Sequence, residues 1–142
     1  DKLAIGYNML EILNKTSEEY DSSHNAFVLL KNVFDFLELS KTNLGFVLLY
    51  YMYKLSYVQG LDFLSYISNG TFTKDKTYKV SEKQIEYLGM FRENDIGELS
   101  CESVDKSDVQ YLTKMLIDFY TINYNKFNFL KTNNFLNEIL NM

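Results

Sequence analysis

The stretch that decides the fold is NLGFVLLYYMYKLSY, from Asn43 to Tyr57. It is apolar almost all round, and Lys54 is its only charged residue. A helix with this pattern is either buried on every side or lies in a membrane. Because a membrane span needs about 20 apolar residues, this segment is too short to cross a bilayer. We therefore predict a buried central helix over 43–57 that the other helices surround.

Two amphipathic helices are predicted before the central helix. The first has apolar residues at helical spacing, namely Leu3, Tyr7, Leu10 and Leu13. The second is marked in the same way by Phe27, Leu30, Phe34 and Leu37, with Lys31, Asp35 and Glu38 on its other side. Stripes of this kind normally face the core, so we expect these residues to point inward.

Helices are also predicted after the central helix. Ser81 and Gln84 form the pattern of a capping box, and Ile85, Leu88 and Phe91 then face inward. A single helical turn is expected in the connection at DIGEL, residues 95–99. A long helix follows from Lys106 to Asn123, with one face made by Val109, Leu112, Leu116 and Phe119. A short last helix is expected from Asn133 to Leu140.

Between these parts, a small finger of strand and turn is predicted at about 63–80. Asn69-Gly70 is typical of a tight hairpin turn, and the flanking SYIS and TFT segments are candidates for pairing. The segment TYKV can add a third short strand. The predicted fold is thus mostly α, a single compact helical domain over 1–142 with this finger at its side.

The composition argues against several classes of function but does not identify one. The chain has 142 residues, a formal net charge of -5 and 46% hydrophobic residues, which is typical of a globular domain. An acidic balance argues against a general nucleic-acid surface, since phosphate binding needs clustered Lys and Arg. The only cysteine, Cys101, and the only histidine, His24, are too few for a metal site or an internal disulfide. We expect no bound metal, no cofactor, no membrane span and a reducing, cytoplasmic setting.

No pattern of residues indicates catalysis. The chain lacks a phosphate-binding loop, a nucleophile elbow and a zinc-protease motif. His24 is expected to be solvated or to cap a helix, and Cys101 has no basic neighbour that would activate its thiol. We predict that the protein is not an enzyme. The alternative is an unrecognised active site around Cys101 or Glu98.

Two aromatic segments are open to a binding interpretation. YYMY, residues 50–53, is either a base-stacking platform or part of the core; the single lysine nearby favours the core. In the C-terminal YNKFNFLKTNNFL, Lys126 and Lys131 flank Phe127, Phe129 and Leu130. This mixture suits an acidic peptide tail with an aromatic end, to which Lys54 and Lys114 could add charge. The alternative is a basic last turn followed by a packed helix.

The order of these parts resembles the C-terminal helical domain of RecO, the bacterial recombination mediator. In that family the central helix runs into L-G-Y-x-P-x-L-D-x-C-x-x-C, and Leu55, Tyr57, Leu61 and Asp62 match it here. Ser56 and Gln59 replace the glycine and proline, while Leu64 and Ile67 replace the first two cysteines. The second C-x-x-C is missing too. Near the end of the chain, a further family motif is matched by the residues Tyr124, Lys131, Phe135 and Leu136.

The resemblance implies a non-enzymatic protein of recombinational DNA repair, bacterial, cytoplasmic and associated with the nucleoid. RecO-like proteins act with the single-strand-binding protein SSB, with RecR and with RecA. The helical domain of the family binds the acidic, Phe-ended tail of SSB, whereas DNA is bound mainly by an N-terminal OB-fold that this chain lacks. One basic position of the family's tail-binding groove falls at Gly45. The unmetallated finger is then expected to rely on packing by Phe63, Leu64, Ile67, Phe72 and Tyr78. The alternative is an unrelated all-helical structural or regulatory interaction domain.

Overall fold

The computed structural model describes residues 2–17, 23–39, 43–68, 79–99 and 104–124. Within these ranges the chain is helical and has no β-strand. The helices are α1 (Lys2–Ser17), α2 (Ser23–Leu39), α3 (Leu44–Val58), α4 (Phe63–Ser68), α5 (Glu82–Glu93) and α6 (Lys106–Asn123). A 3₁₀ turn, Ile96–Glu98, follows α5. The prediction of a mostly α-helical fold is confirmed.

The helix α3 is the centre of the molecule. It contacts every other α-helix of the described residues, and all side chains from Phe46 to Tyr53 are buried. Its neighbours supply the rest of one continuous apolar core. The predicted central helix over 43–57 is therefore confirmed, with bounds of Leu44–Val58 in the structure.

Backbone geometry fixes both ends of α3. Asn43 precedes the helix with a φ of 59°, a left-handed conformation that asparagine tolerates better than most residues. At the other end Gly60 has a φ of 91°, where a Cβ would be strained. The amides of Gly60 and Leu61 donate to the carbonyls of Tyr57 and Ser56, which is the pattern of a Schellman cap. This cap turns the chain sharply into α4.

The helices α1 and α2 pack antiparallel, but their buried faces differ from the prediction. In α1 the core side chains are Ile5, Met9, Ile12 and Leu13, while Leu3, Tyr7 and Leu10 are exposed. In α2 the core contains Ala26, Leu29, Leu30, Val33 and Leu37; Phe34 is half-buried and Phe27 is exposed. Both helices carry apolar residues on more than one face, and only the face toward α3 could be buried.

The first part of the predicted finger is a helix and not a strand. The segment SYIS, residues 65–68, belongs to α4, so the prediction of a strand there is wrong. Phe63 and Leu64 are buried and Ile67 packs against the core, which means that long-range packing overrides the local strand pattern. Residues 69–78, with the Asn69-Gly70 turn and the aromatics Phe72 and Tyr78, lie outside the described residues.

The two later helices follow the sequence prediction closely. The capping box of Ser81 and Gln84 begins α5, the 3₁₀ turn lies within DIGEL, and α6 has the predicted bounds. Leu88 and Phe91 are buried as expected, but Ile85 is exposed. All four residues predicted for the inner face of α6 are buried. The predicted last helix, 133–140, lies outside the described residues.

Three of the four tyrosines of α3 belong to the core, and the fourth, Tyr57, is exposed. Tyr50, Tyr51 and Tyr53 are buried, so the interpretation of YYMY as a base-stacking platform is wrong. Tyr51 donates its hydroxyl hydrogen to the carbonyl of Met9 at 3.1 Å, and Tyr120 on α6 donates to the carbonyl of Met52 at 2.6 Å. These bonds satisfy the polar ends of side chains whose rings are packed in an apolar interior. Among the described residues, no helix has both the length and the hydropathy needed to cross a bilayer.

A charge in the middle of α3 should unfold the domain. Leu48 is completely buried, and Leu48→Asp places a carboxyl group there without a partner. We expect a loss of several kcal/mol, which is comparable with the whole stability of a domain of this size. Urea denaturation followed by circular dichroism measures it. Leu39→Asp, at an exposed position, is the matched control and should unfold at nearly the same urea concentration as the parent protein.

Alkaline pH should destabilise the protein through its buried tyrosines. Burial raises the pKa of Tyr51 and of Tyr120 well above the ordinary value of 10.0. Above pH ~10 the unfolded chain releases these protons and the folded chain keeps them, so the free energy of unfolding falls as pH rises. The slope for each such phenol is about 1.4 kcal/mol per pH unit.

Ultraviolet absorbance and circular dichroism, recorded together between pH 8 and pH 12, test this expectation. The buried tyrosines should ionise in the same transition in which the helices unfold. Complete tyrosine ionisation with the helical signal intact would contradict the buried positions of these side chains.

Candidate partner-binding surfaces

Asp62 organises the turn that leaves α3. Its carboxylate accepts hydrogen bonds from the hydroxyl groups of Tyr53, at 3.1 Å, and Ser65, at 2.9 Å. It also pairs with the Arg92 guanidinium at 3.0 Å. One half-exposed side chain therefore connects the end of α3, the start of α4 and the last turn of α5.

A second polar connection joins the ends of α1, α3 and α6. The Gln59 side chain donates from Nε2 to Thr16 Oγ1 at 2.8 Å and accepts from the Tyr124 hydroxyl at Oε1. Thr16 in turn donates to the carbonyl of Ile12 at 2.9 Å. All the side chains in this chain of bonds are buried. Paired polar groups in an apolar interior fix the relative positions of the helices that carry them.

Lys54 is partly buried beside α5 and is not a freely exposed cation. Its ammonium group donates to the carbonyl of Arg92 at 2.7 Å and lies 6.0 Å from the ring centres of Tyr50 and Tyr57. Burial lowers its pKa, although the nearby carboxylates of Asp95, Glu93 and Glu98 act in the opposite direction. Lys54 is one wall of a cleft of about 220 Å³ between α2, α3 and the 3₁₀ turn, into which Asn32 and Asp95 also face.

The structure places Lys54 and Lys114 on different sides of α3. Lys54 bonds to the end of α5, whereas α6 packs on the side of α3 that carries Gly45 and Met52. Lys114 is exposed on the outer surface of α6. The other predicted binding residues, Lys126, Phe127, Phe129 and Lys131, lie outside the described residues. Gly45 lies against Val109 of α6.

An apolar exposed surface lies on α1 and α2, and we call it the α1/α2 face. Its exposed side chains are Leu3, Tyr7 and Leu10 of α1 and Phe27 of α2, with the half-buried Phe34 beside them. A groove of about 400 Å³ runs between the two helices, and Lys2 and Glu38 lie at one end of it. This surface was not predicted from the sequence, because Leu3, Tyr7, Leu10, Phe27 and Phe34 were expected to face the core. The available signal was that Ile5, Met9 and Ile12 form a competing stripe on α1.

The other candidate residues have either a local structural role or no role that the structure identifies. Glu98 accepts a hydrogen bond from the amide of Asp95 within the 3₁₀ turn, and His24 is exposed near the start of α2. Asn8 is buried, and its amide has no hydrogen-bond partner among the described residues. Within the same ranges, no three His, Cys, Asp or Glu side chains are grouped closely enough to hold a metal ion. Cys101 lies outside the described residues.

Comparisons with known proteins found no match to this chain among protein-family models, curated proteins or solved structures.

The Asp62 connection should contribute measurably to stability. Asp62→Ala removes the acceptor of three hydrogen bonds and leaves the Arg92 guanidinium with only the longer ion pair to Glu93 at 3.6 Å. We expect a loss of about 1–3 kcal/mol in the free energy of unfolding. Asp62→Asn, which keeps the size but not the charge, should lose less.

A double-mutant cycle with Arg92→Met isolates the ion pair in this connection. Because both side chains are partly solvated, the coupling energy should be about 1 kcal/mol or less. Urea denaturation of the four proteins measures it. Additive effects of the two substitutions would mean that the pair contributes nothing beyond its separate contacts.

Proposed function

We propose that this chain is a RecO-type helical domain, a non-enzymatic protein-binding and scaffolding part of a bacterial recombination mediator. In this role it acts in recombinational DNA repair with SSB, RecR and RecA. Contact with DNA is then made mainly by a separate OB-fold domain. The protein works in the cytoplasm, in association with the nucleoid.

The observation that carries this proposal is the contact between two distant segments that match the family. The first segment, 55–62, ends the central helix, and the second begins at Tyr124. In the structure Tyr124 donates a hydrogen bond to Gln59, a position at which the chain departs from the family, so the first residue of the second segment lies against the end of the first segment. A chance likeness of short motifs gives no reason for the matching segments to be neighbours, whereas a shared fold does.

The residues within the first segment also have roles that explain why a family would keep them. Leu55 is buried in the core, and Asp62 connects three helices through its carboxylate. Leu64 and Ile67, at the positions of two family cysteines, pack against the core from α4. Apolar packing is the replacement for metal ligation that the resemblance leads us to expect in a chain without these cysteines.

The proposed partner surface is the C-terminal segment, where Lys126 and Lys131 flank Phe127 and Phe129. Lysines attract an acidic tail, and aromatic side chains offer contacts for its terminal Phe. Lys114, exposed on α6, adds positive charge to the helix that leads into this segment. Lys54 is the weakest member of the set because its ammonium group is already bonded to the carbonyl of Arg92.

A second candidate is an all-helical structural or regulatory interaction domain outside DNA repair. It is favoured by the positions at which the chain departs from the family, above all Gly45 in place of a basic residue of the tail-binding groove. Gly45 packs against α6 and offers no charge there. The two candidates differ in whether an acidic, Phe-ended peptide binds.

A fluorescence-anisotropy titration with a short acidic peptide ending in Phe tests the proposal. The wild-type domain should bind it with a dissociation constant on the order of 10 µM, because a short tail offers few anchors. Affinity should fall as salt rises, since exposed ion pairs are screened. The double variant Lys126→Glu, Lys131→Glu should bind at least about tenfold more weakly, a loss of roughly 1.4 kcal/mol.

The matched control is Lys79→Glu, Lys106→Glu, which makes the same change of charge at exposed positions elsewhere. It should bind as the parent does. Equal binding by all three proteins would remove Lys126 and Lys131 from the site. Absence of binding by the wild type at ~100 µM, together with failure to retain RecR in a pull-down, would favour the second candidate.

A further inference from the structure

The α1/α2 face exposes more apolar side chain than its place in the fold explains. The exposed fractions are 71% for Leu3, 64% for Tyr7, 43% for Leu10 and 64% for Phe27. Phe27 lies two turns before Phe34 and therefore on the same side of α2. Contiguous exposed apolar surface of this kind is typical of a protein–protein contact.

The α1/α2 face has a groove at its centre that can receive a side chain of a partner. Gly6 lies in the groove between the helices, where a Cβ would come 3.6 Å from the Phe34 ring, and the absence of a side chain there leaves the groove open. Lys2 donates to the carbonyl of Glu38 at 3.0 Å and ties the start of α1 to the end of α2. The groove is thus held by secondary structure at its sides and by a hydrogen bond at its end. Tyr7 and Leu10 project beside it.

The charges around the face favour a partner of mixed charge. Lys2 and Glu38 lie at one end of the groove, and helical spacing puts Lys31 and Asp35 of α2 and Glu11 of α1 beside the exposed apolar residues, so both signs are present. A strongly acidic or strongly basic partner would meet like charges, which lowers affinity. An anionic membrane is disfavoured for the same reason, since membrane-binding helices have Lys and Arg throughout their polar face. A second copy of the face has the same mixture and can place unlike charges opposite one another.

We propose that the α1/α2 face binds the same face of a second copy and forms a two-fold symmetric dimer. Two antiparallel helix pairs that pack face to face form a four-helix bundle, which is a common way to bury apolar stripes. The exposed side chains offer roughly 400–500 Å² of apolar surface on each protomer. With a polar rim, the buried total approaches the lower end of the 1,200–2,000 Å² range of specific interfaces, roughly 1,200 Å². This inference is independent of the proposed role in DNA repair.

Sedimentation velocity and light scattering of the full chain between about 5 and 300 µM test the dimer. The wild type should shift from the chain mass of 16.7 kDa toward twice that value, with a dissociation constant on the order of 10 µM. The double variant Tyr7→Ser, Leu10→Ser should weaken the association at least about tenfold. Gly6→Leu, which fills the groove, should do the same.

The matched control is Ile85→Ser, Ile122→Ser, which removes two exposed apolar side chains away from this face and should dimerise as the parent does. Circular dichroism establishes that each variant is folded, and because Tyr7 and Leu10 are exposed the double variant keeps the test valid if Gly6→Leu fails to fold. Equal dimerisation by wild type and double variant overturns the proposal. A wild type that stays monomeric at 300 µM also overturns it and leaves the face to a different protein or to another part of this chain.

Discussion

The structure depends on the burial of α3 from Phe46 to Tyr53. A stretch of helix with no solvated side must pair its polar groups inside the protein, because an unpaired hydroxyl in an apolar interior costs free energy. Tyr50, Tyr51 and Tyr53 meet this constraint with bonds to Asn94, Met9 and Asp62. The tyrosines of α3 thus also determine where neighbouring segments pack, because each hydroxyl group needs a partner on one of them.

The C-terminal end of α3 is where most of these constraints meet. Gly60 turns the backbone, Asp62 connects α4 and α5, and Gln59 connects α1 and α6. Of the residues on which the proposed RecO resemblance rests, Leu55, Tyr57, Leu61, Asp62 and Tyr124 lie at or near this junction. Residues at such a junction are difficult to replace independently, since each change leaves a buried or partly buried partner unsatisfied.

Two surfaces of this chain are proposed to bind partners. One is the basic and aromatic segment that follows α6, and the other is the apolar face of α1 and α2. Two different segments of the chain are thereby proposed to bind partners, as expected of the scaffolding role that we propose. The acidic net charge of -5 is compatible with this role and makes direct binding of nucleic acid by the domain unfavourable.

The sequence by itself determined those helices whose residue patterns are compatible with only one structure. The all-round apolar stretch at 43–57 required a central helix, Ser81 and Gln84 fixed the start of α5, and the single stripe of α6 gave its bounds and its inner face. Prediction from the local pattern was wrong where two alternative helix faces were both apolar enough to be the buried one. In α1 the stripe of Leu3, Tyr7 and Leu10 and the stripe of Ile5, Met9 and Ile12 both have helical spacing, and only the position of α2 and α3 decided which one is buried.

The segment SYIS had the composition of a strand, yet packing of Phe63, Leu64 and Ile67 on the core made it a helix. The same limit applies to the candidate sites. The sequence identifies Lys54 and Lys114 as cations, but only the packing of α5 and α6 on different sides of α3 shows that these two lysines lie apart. Residue type and spacing are local properties, whereas burial and proximity depend on segments far apart in the chain.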